Sequence, residues 1–225
     1  MEITDSKLEL LFHCKITEAT LEKYIQFHSE IEEYWENANS ELTREMNSLL
    51  LQYSHKEYYD ITANYAPDFK ENEDYLDIHR KSIAIGIYSF FEHRINDLCR
   101  IFTEIIDNEI KLKDLSDQGF MRAKKYLKKV VGLSLLGSIS QELGYIKKVN
   151  LVRNSIVHNG SVLPDDEGHE LNKFVSENPN LYGKADNSFS MHSEFIDELI
   201  ENLISFFKKL GQEVLGYINN EPKDN

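Results

Sequence analysis

The chain has 225 residues, 41% of them hydrophobic and 28% charged, with a formal net charge of −14. That apolar fraction supports one sizeable core and excludes a disordered chain, while the acidity argues against a surface that coats nucleic acid generally. The longest apolar stretch, residues 83–91, is far short of the ~20 residues that span a bilayer, and the polar start does not resemble a secretory signal. Cys14 and Cys99 form no CxxC and no disulfide framework, so a cytoplasmic protein without a membrane role is expected.

Ser6-Lys7-Leu8-Glu9 fits a capping box and predicts a short opening helix. No glycine occurs in the first 85 residues, and Pro67 is the only proline there. A long helical region over 20–63 follows, carrying Leu21, Tyr24, Ile31, Trp35, Leu42, Leu49 and Tyr53 at helical spacing. It is either one arm or two helices broken near Asn37-Ala38-Asn39-Ser40. Pro67 and the polar run at 70–74 predict a loop. The core helix is predicted over 75–107, with Ile83, Ile87, Phe91, Ile95, Leu98, Phe102 and Ile105 spaced by three or four. Polar Glu92 and Arg94 interrupt it; they either face solvent or pair inside and orient a site.

A basic helix is predicted over 117–131, then a connection rich in small residues with Gly132, Gly137 and Gly144. The next helix is placed at 140–159, ended by the left-handed cap Asn159-Gly160 and by Pro164. Residues 161–192 read as an excursion with a short helix near 170–176 and a hairpin near 182–191. A last helix is expected over 193–217 and a disordered tail after it. The fold class is all-α: an up-and-down helical bundle over 75–217, an N-terminal helical arm over 1–70 and a tail over 218–225.

Nucleotide-binding glycine loops, the GxSxG elbow, HExxH and EF-hand loops are absent from the sequence, and no histidine forms a usual metal-ligand pair with another His or Cys nearby in it. No metal and no cofactor are therefore expected. The charge is uneven: residues 111–153 carry ten basic residues against three acids, a local +7 that leads into Arg153-Asn154-Ser155-Ile156-Val157-His158-Asn159-Gly160. That segment either holds a polyanion or is a solvated helix face. At ~100° per residue, Asn150, Asn154 and His158 share one helical face, Ile146, Val149, Val152 and Ile156 another, and Arg153 lies between them. One reading joins Arg153, Asn154, Asn150 and His158 in a site, with Lys147, Lys148, Glu92 and Arg94 as supporting residues. The plainer reading has His158 capping its helix and Arg153 pairing with a nearby acid.

Residues 153–160 resemble the Arg-Asn-x-x-x-His ending of the HEPN superfamily (higher eukaryotes and prokaryotes nucleotide-binding). The segment Ile87-Tyr88-Ser89-Phe90-Phe91-Glu92-His93-Arg94-Ile95 is similar to the first core helix of bacterial HEPN families near the RiboL-PSP type. The resemblance covers residues 75–217 and leaves the first 70 or so unexplained. It implies a homodimer whose two Arg–His ends meet in a shared cleft. It also implies a metal-independent endoribonuclease of the toxin or phage-defence kind, or a module that has lost activity and binds RNA, a nucleotide or a protein. Arg153, His158 and Asn154 would be catalytic. The RNA supplies its own 2′-hydroxyl nucleophile, imidazoles move the protons, and a guanidinium stabilises charge at phosphorus. The partners implied are RNA, a second copy of the chain, and an antitoxin or nucleotidyltransferase that keeps a toxin silent.

Overall fold

A computed structural model of the chain describes residues 5–106, 108–134, 137 and 139–220. The described elements are α1 (Asp5–Leu50), α2 (Tyr58–Ile105), α3 (Gly119–Lys129), α4 (Ser140–Asn159), α5 (Glu170–Glu177), the antiparallel ribbon β1 (Leu181–Tyr182) with β2 (Ser190–Met191), and α6 (Ser193–Asn220). The architecture is all-α, a helical bundle with a long hairpin arm. Of the tail expected at 218–225, residues 218–220 are instead the last of α6, and 221–225 lie outside the described residues.

Helix α2 forms because its apolar residues repeat on one stripe, and the bundle is built on that stripe. Ile83, Ile87, Phe91, Ile95, Leu98 and Phe102 are all buried. The Phe91 ring lies 5.0 Å from Phe120 and 5.5 Å from Phe206, so α3 and α6 meet on it. Helix α6 buries Phe195, Leu199, Leu203, Phe206, Leu210 and Val214 against the same core. Gly211 lets α1 approach α6 closely: a Cβ placed there would lie 3.2 Å from that of Cys14. Burial pushes the thiols of Cys14 and Cys99 up to about 12, which makes both poor nucleophiles at neutral pH.

Three features of the N-terminal half differ from expectation. First, α1 is a single helix from residue 5 onward, so no separate opening helix forms; it passes Asn37–Ser40 unbroken, as in the one-arm alternative, but ends at Leu50 rather than near residue 63. Asn39 instead accepts a hydrogen bond from Asn72 across the hairpin at 2.8 Å, which uses the polar group without interrupting the helix. The turn comes at residues 51–57, where the Glu57 carboxylate accepts from the Ser54 hydroxyl at 2.9 Å and its backbone N–H at 3.1 Å.

Second, α2 starts at Tyr58 and passes through Pro67. An interior proline costs about 3 kcal/mol. Here the ring is exposed, while Ile61, Tyr65, Phe69 and Asn72 continue the contact face toward α1. Packing along that face offsets the lost hydrogen bond, and the run at 70–74 is helical, with Lys70 paired to Glu73 and Asp74. Third, the root of the expected arm belongs to the core. Leu10, Cys14 and Leu21 sit in the same cluster as the stripes of α2 and α6. The part that projects is the hairpin of the second half of α1 with the start of α2.

The root is pinned by a buried polar network. The Nε2–H of His13 donates to the Arg94 carbonyl at 2.8 Å, and Arg94 donates to Thr17 Oγ1 at 2.9 Å and to His13 Nδ1 at 3.1 Å. A second proton on His13 would have to sit on Nδ1, facing the guanidinium. Burial first, and then Arg94, lower its pKa from 6.5 to about 4. The unfolded chain takes up this proton near pH 6.5 and the folded chain only near 4, so the stability is full above about pH 6.5 and falls as pH drops through that window. The loss amounts to about 3 kcal/mol at roughly 1.4 kcal/mol per unit. Urea unfolding at pH 7 and pH 4.5 measures it, and His13→Gln should show a smaller difference between the two pH values than the parent chain.

Candidate active site

Helix α4 presents two faces, as its spacing predicts. Leu143, Ile146, Val149 and Val152 are buried, and the last core position is taken by Ser155 rather than by the half-buried Ile156. Ser155 is tolerated inside because its hydroxyl donates to the Val162 carbonyl at 3.0 Å. Gly160 ends the helix in the left-handed conformation (φ 60°, ψ 32°), which suits glycine. The Ser161 N–H returns to the Ser155 carbonyl at 3.1 Å, and Phe189 N–H, beside β2, bonds the Ser161 carbonyl at 3.0 Å. The helix end is thus fixed on both sides of its cap.

On the polar face, Asn150, Arg153 and Asn154 are half-buried and His158 is exposed. Arg153 Nη1 donates to Asn154 Oδ1 at 2.9 Å. Its Nε is buried and has no hydrogen-bond partner among the described residues. No ion pair involving Arg153 is found among the described residues, so the plainer expectation, an arginine neutralised by a nearby acid, is not what the fold builds. The guanidinium instead lies within electrostatic reach of Tyr88 on α2. Burial pushes the Tyr88 phenol up, Glu92 adds to that and Arg153 opposes it.

Glu92 stands one turn beyond Tyr88, and its carboxylate does a different job from pairing with Arg153. Glu92 Oε1 accepts the Phe120 N–H at 3.0 Å, at the N-terminus of α3 where the helix dipole favours an anion. This bond ties the basic helix α3 to α2. Gly119 makes it feasible: it has φ +52°, and a Cβ there would lie 2.3 Å from Glu92 Oε1.

The lysines divide between two directions. Lys124 is held below its ordinary range by burial first, then by Lys147 and Lys128, so the charges of Lys147 on α4 and Lys128 on α3 both reach it. Lys147 lies seven residues before Asn154 on the same face of α4, about 10 Å along the axis. Lys148 points elsewhere, toward α5: it pairs with Glu177 at 3.7 Å and lies 5.3 Å over the Phe174 ring. Lys125 is committed to Ser116 and Asp117. Arg94 lies on the α1 side of α2 in the His13 network and is no part of the α4 site. The structure therefore gathers Arg153 and Asn154, with Tyr88 and Glu92 close by and Asn150, His158 and Lys147 along the same face of α4; it separates Arg94 and Lys148 from them.

Two groups escape a reading of the sequence. Tyr88 is outside the residues named for the stripe of α2. His28, Glu32 and His79 come together although no histidine has another His or Cys close by in sequence as a ligand partner. The one local signal is the four-residue spacing of His28 and Glu32, which puts both on one side of α1.

Comparison with protein-family models, with curated proteins and with solved structures gives no match. Among the described residues, no helix is long and apolar enough to cross a membrane.

The Glu92–Gly119 contact makes a stability prediction. Gly119→Ala should cost about 1–3 kcal/mol from backbone strain and the clash. Glu92→Ala should cost about 1 kcal/mol as a lost cap. The double variant should cost less than the two together, because removing the carboxylate removes the clash; urea unfolding of the four proteins closes this cycle.

Proposed function

We propose that this chain is a metal-independent endoribonuclease of the HEPN type, with a composite site formed where the α4 ends of two copies meet. The observation that carries the reading is the arrangement at that end. An exposed imidazole sits on one face with two asparagines, beside an arginine whose only described hydrogen bond is to Asn154. Val157 and Val162, 43% and 39% exposed, put apolar surface on both sides of His158 that a second copy would cover. The basic group Lys124, Lys128 and Lys147 supplies a landing surface for the RNA backbone on an otherwise acidic chain.

In this mechanism the imidazole of one copy takes the proton from the RNA 2′-hydroxyl, and the 2′-oxygen attacks the adjacent phosphorus. The bond to the 5′-oxygen breaks, and the imidazole of the other copy delivers a proton to that leaving group. Arg153 donates to the phosphoryl oxygens as charge builds there, and Asn154 holds the guanidinium in place. The products are a 2′,3′-cyclic phosphate and a 5′-hydroxyl. No cofactor takes part. DNA lacks the nucleophile and is not cut.

The test is cleavage of end-labelled RNA by the pure protein in EDTA. Cleavage should persist, leave a cyclic phosphate, and fall by about 10²–10⁴ in His158→Ala. Arg153→Lys, which keeps the charge but loses the paired donors, should also be strongly impaired. Lys147→Ala should weaken RNA binding and lower its salt slope by about 1. Loss of all cleavage in EDTA with the fold intact, or full cleavage by His158→Ala, defeats the mechanism. A toxin or defence role, with an antitoxin or nucleotidyltransferase partner, belongs to the same proposal: expression of the parent chain should arrest growth and expression of His158→Ala should not.

A second reading, a non-catalytic module that binds RNA, a nucleotide or a protein, rests on the long projecting α1–α2 hairpin. It predicts binding without cleavage and a loss of binding in Arg153→Ala.

A further inference from the structure

Across the base of the hairpin, α1 and α2 bring together three side chains that the α4 site does not use. His28 and Glu32 stand one turn apart on α1, and His79 faces them from α2. His28 Nδ1 lies 3.0 Å from His79 Nε2. One ligand atom from each of the three residues falls within 4.8 Å of the other two. We propose that His28, Glu32 and His79 form a binding site for a divalent transition-metal ion, Zn2+ in the first instance, that clamps the root of the hairpin.

The donor set is two imidazole nitrogens and one carboxylate oxygen, which is zinc chemistry, with a fourth position left for water. Two nitrogens each ~2.05 Å from a tetrahedral ion lie ~3.3 Å apart, so the nitrogens part by a few tenths of an ångström and each ring turns by roughly 35° to aim its lone pair at the ion rather than at the other nitrogen. His28 is already oriented for the task. Its Nε2 lies 2.9 Å from Ser193 Oγ and 3.3 Å from the Ser193 carbonyl. In the tautomer that donates from Nε2 to Ser193, the Nδ1 lone pair faces His79. Without metal, His79 Nε2–H fills that lone pair; with metal, the His79 proton moves to its other nitrogen and both lone pairs meet the ion.

Glu32 is held just as firmly. Arg80 donates to it twice, from Nε to Oε1 at 2.8 Å and from Nη2 to Oε2 at 2.5 Å. Each oxygen keeps a second lone pair, and the fork fixes the carboxylate as outer partners do around metal ligands. A cleft of about 330 Å³ lined by His28, Glu32, Ser193, Asp197 and Glu201 opens on the α1–α6 side of His28 and Glu32, and its acids favour the approach of a cation.

The site is separate from the end of α4. His79 and Tyr88 are nine residues apart on α2, about 13 Å along the axis and on opposite faces. The ion would therefore brace the fold and take no part in the chemistry proposed above, so this inference and that one fail independently.

Calorimetric titration of the EDTA-stripped, dialysed full chain with Zn2+ tests the site, supported by the visible spectrum of the Co2+ form. The expected result is one ion per chain, a raised Tm on binding, and an affinity reduced by about 10–100-fold or more in His79→Ala. Glu32→Gln, which keeps the shape, should weaken binding in the same direction, and the exposed His55→Ala should not. Circular dichroism of each apo variant checks its fold. No binding at about 100 μM Zn2+ (weaker than roughly −5.5 kcal/mol), or an unchanged affinity in a folded His79→Ala, overturns the proposal and leaves the histidines as a hydrogen-bonded pair.

Discussion

Helix α2 is the member on which everything else is hung. Its apolar stripe from Ile83 to Phe102 is buried along its length, and four other helices, α1, α3, α4 and α6, dock around it. The same helix carries polar side chains out of its flanks in two directions. On the α1 side, Arg94 ties down His13 and Thr17. On the other, Tyr88 and Glu92 meet α4 and α3. Because burial of the stripe fixes the rotation of α2, it fixes both polar flanks together. Arg153 is set where it is by a helix that shares no sequence neighbourhood with it.

The end of α4 poses an electrostatic problem for the proposed chemistry. A helix C-terminus carries roughly half a negative charge from its unpaired carbonyls, which repels a phosphate. Anions in proteins more often sit at the opposite end of a helix. A phosphate held at the end of α4 therefore depends on cations strong enough to reverse the local field. Arg153, with a buried Nε that lacks a partner among the described residues, and the mutually repelling Lys124, Lys128 and Lys147 of α3 and α4 are the cations the fold provides on that side. The carboxylate of Glu92 would oppose them if it were free. Its bond to the N-terminus of α3 spends that charge against a positive dipole end instead.

The chain as a whole stays acidic, at −14, so its basic ridge is a local feature on a repelling surface. Electrostatic attraction of RNA would be confined to that ridge and strongly salt-dependent. The acidic residues are concentrated elsewhere, on the hairpin among other places. At the base of the hairpin, Glu32 is neutralised by Arg80 and neighbours two histidines, a local compensation of buried charge that binds α1 and α2 together.

Periodicity alone determined the all-α class, the stripes of α2 and α6, the limits of α4 and its left-handed stop at Gly160, because each rests on local backbone and spacing rules that need no partner. The shared face of Asn150, Asn154 and His158 was legible for the same reason. What the sequence misjudged were points where packing outweighs local preference. Pro67 continues a helix because the hairpin holds its other faces. At Asn39, where spacing left both a break and a continuous helix open, the continuous one forms with Asn72 bonded across from it. Only the tertiary structure decided that Glu92 caps α3, that Arg94 and Lys148 turn away from Arg153, and that His28 meets His79. Those outcomes depend on which face of one helix is pressed against which face of another, and no spacing within a single helix carries that information.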